Sequence, residues 1–178
     1  MNVRVIGGVY GGRKLDTPPG RTTHPMGERI RNAVFNSLGA SVEGATVLDA
    51  FAGTGAVGIE ALSRGAASCV FIERDNIAQK CIANNLTNLG ITQAQLVKTT
   101  VHNWLNSGQH GPFDLICADP PYHDPQASAV TELARLLAPG GTLVVSWPIK
   151  LEVPQFSGLT GVFDREYAGA RIMMYKKS

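Results

Sequence analysis

Apolar and polar positions along this chain sort into strand-like and helix-like pieces whose order predicts the architecture. From residue 46 onward, strand-like runs at 46–50, 69–72, 95–99, 113–118 and 142–146 are interleaved with stretches of helical spacing at 56–63, 76–89 and 128–137. Strand and helix in alternation predict a parallel sheet with helices on both faces. The strands are apolar on both sides, as a sheet covered on both faces requires. Towards the end the pattern changes: 162–167 and 170–175 flank Ala168-Gly169 and predict an antiparallel hairpin that closes the sheet.

Ahead of this body, β-like runs at 3–6 and 9–15 are broken by Gly7, Gly8, Gly11 and Gly12, which predicts a glycine-rich hairpin carrying Arg13 and Lys14. After a breaker at 16–20, residues 28–38 place Ile30, Ala33, Val34, Phe35 and Leu38 at helical spacing, with Arg29, Arg31 and Asn32 directed elsewhere. The expected organisation is a basic N-terminal hairpin and helix over 1–40, then the main α/β domain over 41–178. There is no internal repeat or low-complexity tract.

Composition narrows the class. At 178 residues with 44% apolar content, a chain can bury about 70% of the surface its unfolded form exposes, without a disulfide or metal staple. A charged fraction of 17% is low against a typical ~25%, so disorder and coiled coil fit poorly. Cys69, Cys81 and Cys117 are odd in number, lie in apolar surroundings and form no C-x-x-C pair, which argues against a secreted disulfide framework or a zinc site. His24, His102, His110 and His123 show no ligand spacing, so no metal is expected. No apolar stretch approaches the ~18 residues a membrane span needs, and no signal peptide follows Met1. The expectation is a soluble, cytoplasmic protein.

The net charge of +2 hides an asymmetry. Residues 1–38 hold Arg4, Arg13, Lys14, Arg21, Arg29 and Arg31 against Asp16 and Glu28, a net of +4, whereas the other 140 residues hold ten basic and twelve acidic groups, a net of −2. A basic segment ahead of a mildly acidic body is what a polyanion-binding arm looks like. Arg4, Arg13, Lys14, Arg29 and Arg31 are the candidate phosphate contacts of such an arm. The alternative is an ordinary solvated face.

Two motifs carry chemistry. Asp49-Ala50-Phe51-Ala52-Gly53-Thr54-Gly55-Ala56-Val57-Gly58 forms a glycine-rich turn between the first core strand and its helix, where open α/β sheets bind ligands. The G-x-G-x-x-G spacing alone serves NAD as readily as S-adenosylmethionine. Asp49, at the strand end, favours the latter, because a carboxylate there accepts from a methionine ammonium and repels a pyrophosphate. Glu73 ends the second strand, where an acidic side chain can accept both ribose hydroxyls of either cofactor.

The discriminating motif is Asp119-Pro120-Pro121-Tyr122, directly after the strand-like run at 113–118. Two prolines lock an extended turn, so the Asp119 carboxylate and the Pro120 carbonyl stand as neighbouring acceptors. An exocyclic nucleobase amine fits between them with its lone pair facing a donor methyl, while Tyr122 offers a face to the base.

A glycine-rich motif followed by D-P-P-Y resembles the amino-methyltransferases of nucleic acids. Over nearly the whole chain the resemblance is closer. Arg4-Val5-Ile6-Gly7-Gly8 with Gly12-Arg13-Lys14-Leu15, and Glu28-Arg29-Ile30-Arg31 with Phe35-Asn36, resemble the opening of the bacterial 16S ribosomal RNA guanine-N2 methyltransferase family usually called RsmD. Leu48-Asp49-Ala50-Phe51-Ala52-Gly53-Thr54-Gly55, Glu60-Ala61-Leu62-Ser63-Arg64-Gly65 and Asp119-Pro120-Pro121-Tyr122 resemble its core. The opening separates this family from other methyltransferases.

This resemblance implies a Rossmann-like S-adenosylmethionine-dependent methyltransferase fold, with a seven-strand, mostly parallel sheet closed by the C-terminal hairpin. It implies methylation of the N2 amine of a guanine in 16S rRNA, with the small ribosomal subunit as partner. Asp119, Pro120 and Tyr122 would serve the acceptor base. Phe51, Ala52, Gly53, Thr54 and Gly55 would line the cofactor with Asp49, Glu73, Arg74, Thr100, Val101 and Asp119. The chain departs from the family in three places. His24-Pro25-Met26-Gly27-Glu28 replaces an Arg-Pro-Thr-Thr-Asp run, Thr100 stands where related enzymes place Asp or Asn, and His123-Asp124-Pro125 lacks basic residues. The rivals are an adenine-N6 or other nucleobase amine methyltransferase, a non-catalytic ribosome-assembly protein that binds the cofactor, and a nucleotide-dependent oxidoreductase. Trp104 and the cysteines read as core residues.

Overall fold

The computed structural model describes residues 3–19 and 26–178. The chain opens on two short antiparallel strands, β1 (Val3–Arg4) and β2 (Lys14–Leu15). Two further backbone bonds prolong this hairpin, from Val5 N–H to Arg13 O at 2.9 Å and from Gly12 N–H to Val5 O at 2.8 Å. Helix α1 (Glu28–Leu38) follows, then a 3₁₀ turn (Gly39–Val42). The body runs β3 (Thr46–Ala50), α2 (Ala56–Ser63), β4 (Ser68–Ile72), α3 (Asn76–Leu89), β5 (Ala94–Val97), α4 (Val101–Asn106), β6 (Phe113–Ala118), α5 (Ala127–Ala134), β7 (Leu137–Pro148), β8 (Leu159–Tyr167) and β9 (Ala170–Lys177).

Seven of these strands form one sheet in the order β5-β4-β3-β6-β7-β9-β8. The first five are parallel, and β9 pairs antiparallel with both β7 and β8. This is the expected mostly parallel sheet with its closing hairpin. Because side chains alternate across a strand, Val47, Cys69, Phe71, Leu115, Cys117 and Val144 face one side, packing with α1, α2 and α3. Leu48, Ala50, Ile72, Ile116, Ala118, Leu143 and Val145 face the other, against α4 and α5. Asp49 shares the parity of Val47 and so points toward α2. Strand order changes direction between β3 and β6, which puts the crevice of an open α/β sheet at their C-terminal ends.

Local signals account for the element limits. The Asp75 side chain caps α3 by accepting from Ala78 N–H at 2.9 Å, and Gly90, at φ 68°, ends it. Differences from expectation cluster around Pro and Gly. Helix α5 stops at Ala134, and β7 already starts at Leu137, because Leu137 pairs with Phe113 and the register shift before Leu115 absorbs Ala138 to Gly141. The short α4, capped by Thr100, holds Trp104 on its buried face, as expected of that residue.

The opening segment is built into the first face of the sheet. Val5, Leu15, Met26, Val34 and Phe35 share one hydrophobic cluster with Ile59 and Leu62 of α2. Its polar anchor is Glu60, fully buried in a helix whose eight residues are all buried. Glu60 accepts from Ile6 N–H and Gly7 N–H, both at 2.9 Å, from Arg64 Nε at 2.9 Å and from Arg31 Nε at 3.3 Å. Ser63 adds three bonds: its carbonyl accepts from Val9 N–H, its hydroxyl oxygen accepts from Tyr10 N–H, and the hydroxyl donates to Gly7 O.

Arg31 corrects the sequence reading. Placed among the candidate phosphate contacts, it is 1% exposed and also donates to Arg4 O. Burial pulls its guanidinium below the usual arginine range, and attraction to Glu60 opposes that shift. A buried carboxylate needs a partner of opposite charge, and α1 supplies it from the same face as Val34, Phe35 and Leu38.

Candidate active site

The glycine turn leaves β3 at its C-terminal end and starts α2. Phe51 adopts φ 58°, Gly53 59° and Gly55 80°. The left-handed region costs a non-glycine residue energy, and Phe51 accepts this strain at the point where the turn begins. Ala52 N–H donates to Ile72 O at 2.9 Å, tying the turn to the end of β4, and Gly55 N–H donates to Ala52 O at 2.8 Å within the turn. Around Gly53, on the side where a Cβ would stand, the space is open.

Gly58 is required for another reason. A Cβ there would lie 2.3 Å from Phe71 Cε1 and 2.7 Å from Cys69 Sγ, so α2 approaches β4 this closely only without a side chain. Gly58→Ala should therefore lower stability by about 1–3 kcal/mol through overpacking. Chemical denaturation measures it, and a parental midpoint would show that α2 has room to shift.

Three carboxylates surround the turn. Asp49, 3% exposed, accepts Gly58 N–H at 2.9 Å. Burial pushes its carboxyl well above the ordinary carboxylate range; the Gly58 bond opposes the shift, and the charges of Asp119 and Glu73 add to it. Glu73 braces the turn, with Oε1 accepting Gly53 N–H and Oε2 accepting Asp75 N–H, each at 2.7 Å. Each of its oxygens keeps a lone pair for a further donor. The same burial, with Asp49 alongside, drives the Cys69 and Cys117 thiols well above their usual range. Both remain neutral core groups.

Asp119 follows β6 on the strand next to β3, with Ala118 in register with Ala50. Pro120 is buried, and Asp119 and Tyr122 are half-buried. The Tyr122 hydroxyl and Ser146 Oγ share a hydrogen bond of 2.6 Å, which fixes the ring against β7. Burial pushes the Tyr122 phenol up to about 12, against the Ser146 bond and with help from Asp119. The ring is thus a neutral surface across the physiological range.

Other predicted residues take more ordinary places. Arg74 is exposed at the end of β4. Thr100 caps α4 by accepting from Asn103 N–H at 3.0 Å, and the Val101 side chain is buried, which leaves its backbone for any ligand contact. Arg4, Arg13, Lys14 and Arg29 are exposed; Arg4 pairs with Glu28 at 3.0 Å, and Arg13 donates to Asn88 O at 3.2 Å. Residues 20–25, which include His24 and Pro25 of the divergent stretch, lie outside the described residues. Among the described residues no group of three or more His, Cys, Asp or Glu side chains could hold a metal ion, and no helix is long and apolar enough to cross a membrane.

Sequence reasoning overlooked Glu60, Ser146 and Asn85. Glu60 carried a visible signal: it is the single charge in Ala56-Val57-Gly58-Ile59-Glu60-Ala61-Leu62, and such a carboxylate must find donors from elsewhere in the chain. Ser146 and Asn85 had no local signal, since their partners lie 24 to 69 residues away.

The family model described as Conserved hypothetical protein 95 matches residues 3–176. Ribosomal RNA small subunit methyltransferase D of Escherichia coli (strain K12) is 35% identical over 161 residues, covering 90% of this chain and 79% of that protein. The Bacillus subtilis protein YlbH is 32% identical over 182 residues, covering 98% and 99%. The solved structure of the Escherichia coli protein yhhF superposes with a TM-score of 0.88 at 28% identity, covering 99% of this chain and 98% of that one. With the match spanning the basic opening as well as the core, the chain belongs to the Conserved hypothetical protein 95 family, that of the ribosomal RNA small subunit methyltransferase D proteins.

Proposed function

We propose that this chain methylates the exocyclic N2 amine of a guanine in small-subunit ribosomal RNA, with S-adenosylmethionine as the methyl donor. The observation that supports amine methylation is the placement of Asp119-Pro120-Pro121-Tyr122 at the end of β6, beside the carboxylate-rich glycine turn on β3; the choice of guanine N2 over adenine N6 is favoured by the family match, which extends through the basic opening. The donor set fits a cationic ligand. Asp49, Glu73 and Asp119 gather negative charge, and burial leaves the Asp49 carboxylate in need of a positive partner. A pyrophosphate would meet repulsion there.

S-adenosylmethionine, when bound, supplies a methyl group activated by a sulfonium charge. Asp49 would hold its ammonium, Glu73 its ribose hydroxyls, and the open side of Gly53 would receive it. The protein's own work is positioning. Asp119 and the Pro120 carbonyl accept the two N–H hydrogens of the amine and turn its lone pair toward the methyl. As positive charge develops on that nitrogen, the Asp119 carboxylate stabilises it and then takes the released proton. Tyr122, locked by Ser146, stacks on the extruded base and offsets part of the few kcal/mol that unstacking costs. Nucleoside mass spectrometry of small subunits incubated with labelled donor tests the reading. The expected product is labelled N2-methylguanosine; label on adenosine, or none, overturns it.

The exposed Arg13 and Lys14 on the hairpin, with Arg29 on α1, would contact phosphates during docking. Replacing Arg13 and Lys14 together should weaken particle binding and reduce the salt slope by about two, one per lost contact. Affinity measured at two salt concentrations checks this. An unchanged slope would return these charges to a solvated face.

A further inference from the structure

Asn85 lies one turn before the end of α3, 2% exposed. Its Oδ1 accepts Asp16 N–H at 2.7 Å, and its Nδ2 donates to the carbonyl oxygens of Asp16 and Thr54, each at 3.2 Å. Only one orientation of the amide meets a donor on one side and two acceptors on the other. The side chain therefore bridges two segments that are 38 residues apart in sequence: the end of the basic hairpin and the centre of the glycine turn. Arg13 donates to Asn88 O on the same end of α3, so the hairpin's charged tip and Asp16 are held to one support.

We infer that Asn85 is a positioning residue that couples the basic hairpin to the cofactor turn. The inference rests on the methyl-transfer reading above. The centre of the turn is held by Gly53 N–H on Glu73, Gly55 N–H on Ala52 O, Ala56 N–H on Thr54 Oγ1, Ile59 N–H on Gly55 O and Thr54 O on Asn85. The Glu73 contact reaches the end of β4, those of the Gly55, Ala56 and Ile59 amides stay within the turn and the first turn of α2, and the one to Asn85 leads to the hairpin. A ligand that orders Thr54 strengthens the hold of Asn85 on Asp16. By linkage, a polyanion that orders the hairpin favours the binding-competent turn by the same factor. RNA engagement and cofactor affinity are thereby joined without any contact between the two ligands.

Hydrogen exchange and calorimetry test this on the full chain, with S-adenosylmethionine as the probe. In the parent, saturating probe should slow exchange of the Asp16 amide and of the hairpin amides Val5 and Gly12. In Asn85→Ala, affinity for the probe should fall about tenfold, as loss of one buried hydrogen bond implies, and exchange in the hairpin should no longer respond to it. Asn85→Asp keeps the acceptor for Asp16 N–H but sets a carboxylate against two carbonyls, so it should lose probe affinity while retaining a folded hairpin. Asp16 exchange indifferent to the probe in the parent overturns the coupling, as does Asn85→Ala with parental affinity or a surviving response. A parent that binds no probe at all would instead overturn the methyl-transfer reading.

Discussion

Asp119→Ala is expected to slow methyl transfer by about 100- to 1000-fold, the range found when a single well-placed group is removed from a site of developing charge. Cofactor affinity should fall far less, because the direct contact of Asp119 is made to the acceptor amine during reaction, and toward the bound donor its charge only adds to that of Asp49 and Glu73. The backbone should hold its shape: Pro120 and Pro121 restrict the turn whatever precedes them, and the Tyr122–Ser146 bond fixes its far side. Single-turnover rates on small subunits, beside calorimetry with the donor, separate the two effects. Equal losses in rate and affinity would assign Asp119 to the architecture of the turn instead.

Asp49→Asn should act in the opposite sense on stability and on binding. Binding of a cofactor ammonium calls for the ionised carboxylate, so the amide should lower affinity by about 10- to 100-fold, the equivalent of one charge-assisted hydrogen bond. Stability follows the sign of the pKa shift. The folded value lies above the unfolded one, so the stabilising contribution of Asp49 is complete below the ordinary carboxylate range and is lost as pH rises through its folded value. At neutral pH the amide, which keeps an oxygen for Gly58 N–H, should make the free protein melt higher than the parent, a difference that vanishes near about pH 4. In the parent, donor binding should release a proton and strengthen with pH until Asp49 is fully ionised. Calorimetry in buffers of different ionisation enthalpy reads that proton; none released, with an unchanged melting temperature in the variant, would refute the account.

Most of the sheet was legible because its parallel strands are short runs set off by glycine, proline or a capping residue, β7 being the exception, since Pro139, Gly140 and Gly141 lie inside it. Thr46 to Ala50 and Phe113 to Ala118 were delimited by this punctuation to the residue. The glycine turn and the double proline were legible for the same reason: they are backbone requirements written in residue types that have few other uses. The misreading of Arg31 has a different origin. Spacing places Arg31 on the apolar face of α1, at i, i+3, i+4 and i+7 with Val34, Phe35 and Leu38, and it was the charge alone that assigned it to solvent; the carboxylate that accommodates it lies 29 residues downstream. Side-chain pairs of this kind leave no periodic trace. The link from Asn85 to Thr54 and the bond from Tyr122 to Ser146 were hidden likewise, although both shape the site.

The four donors on Glu60 bear on how deletion experiments can be interpreted. Two of them, the amides of Ile6 and Gly7, belong to the first eight residues. Removing that stretch strips a carboxylate with no solvent access of half its hydrogen bonds and takes away the Arg4 carbonyl that receives Arg31. What remains is a destabilised protein with a disturbed electrostatic interior, and not a catalytic core minus an RNA handle. Loss of methylation after such a truncation would therefore carry no information about RNA recognition. Charge-neutral substitutions at exposed positions, which leave the chain end in place, are the cleaner way to ask what the opening segment touches.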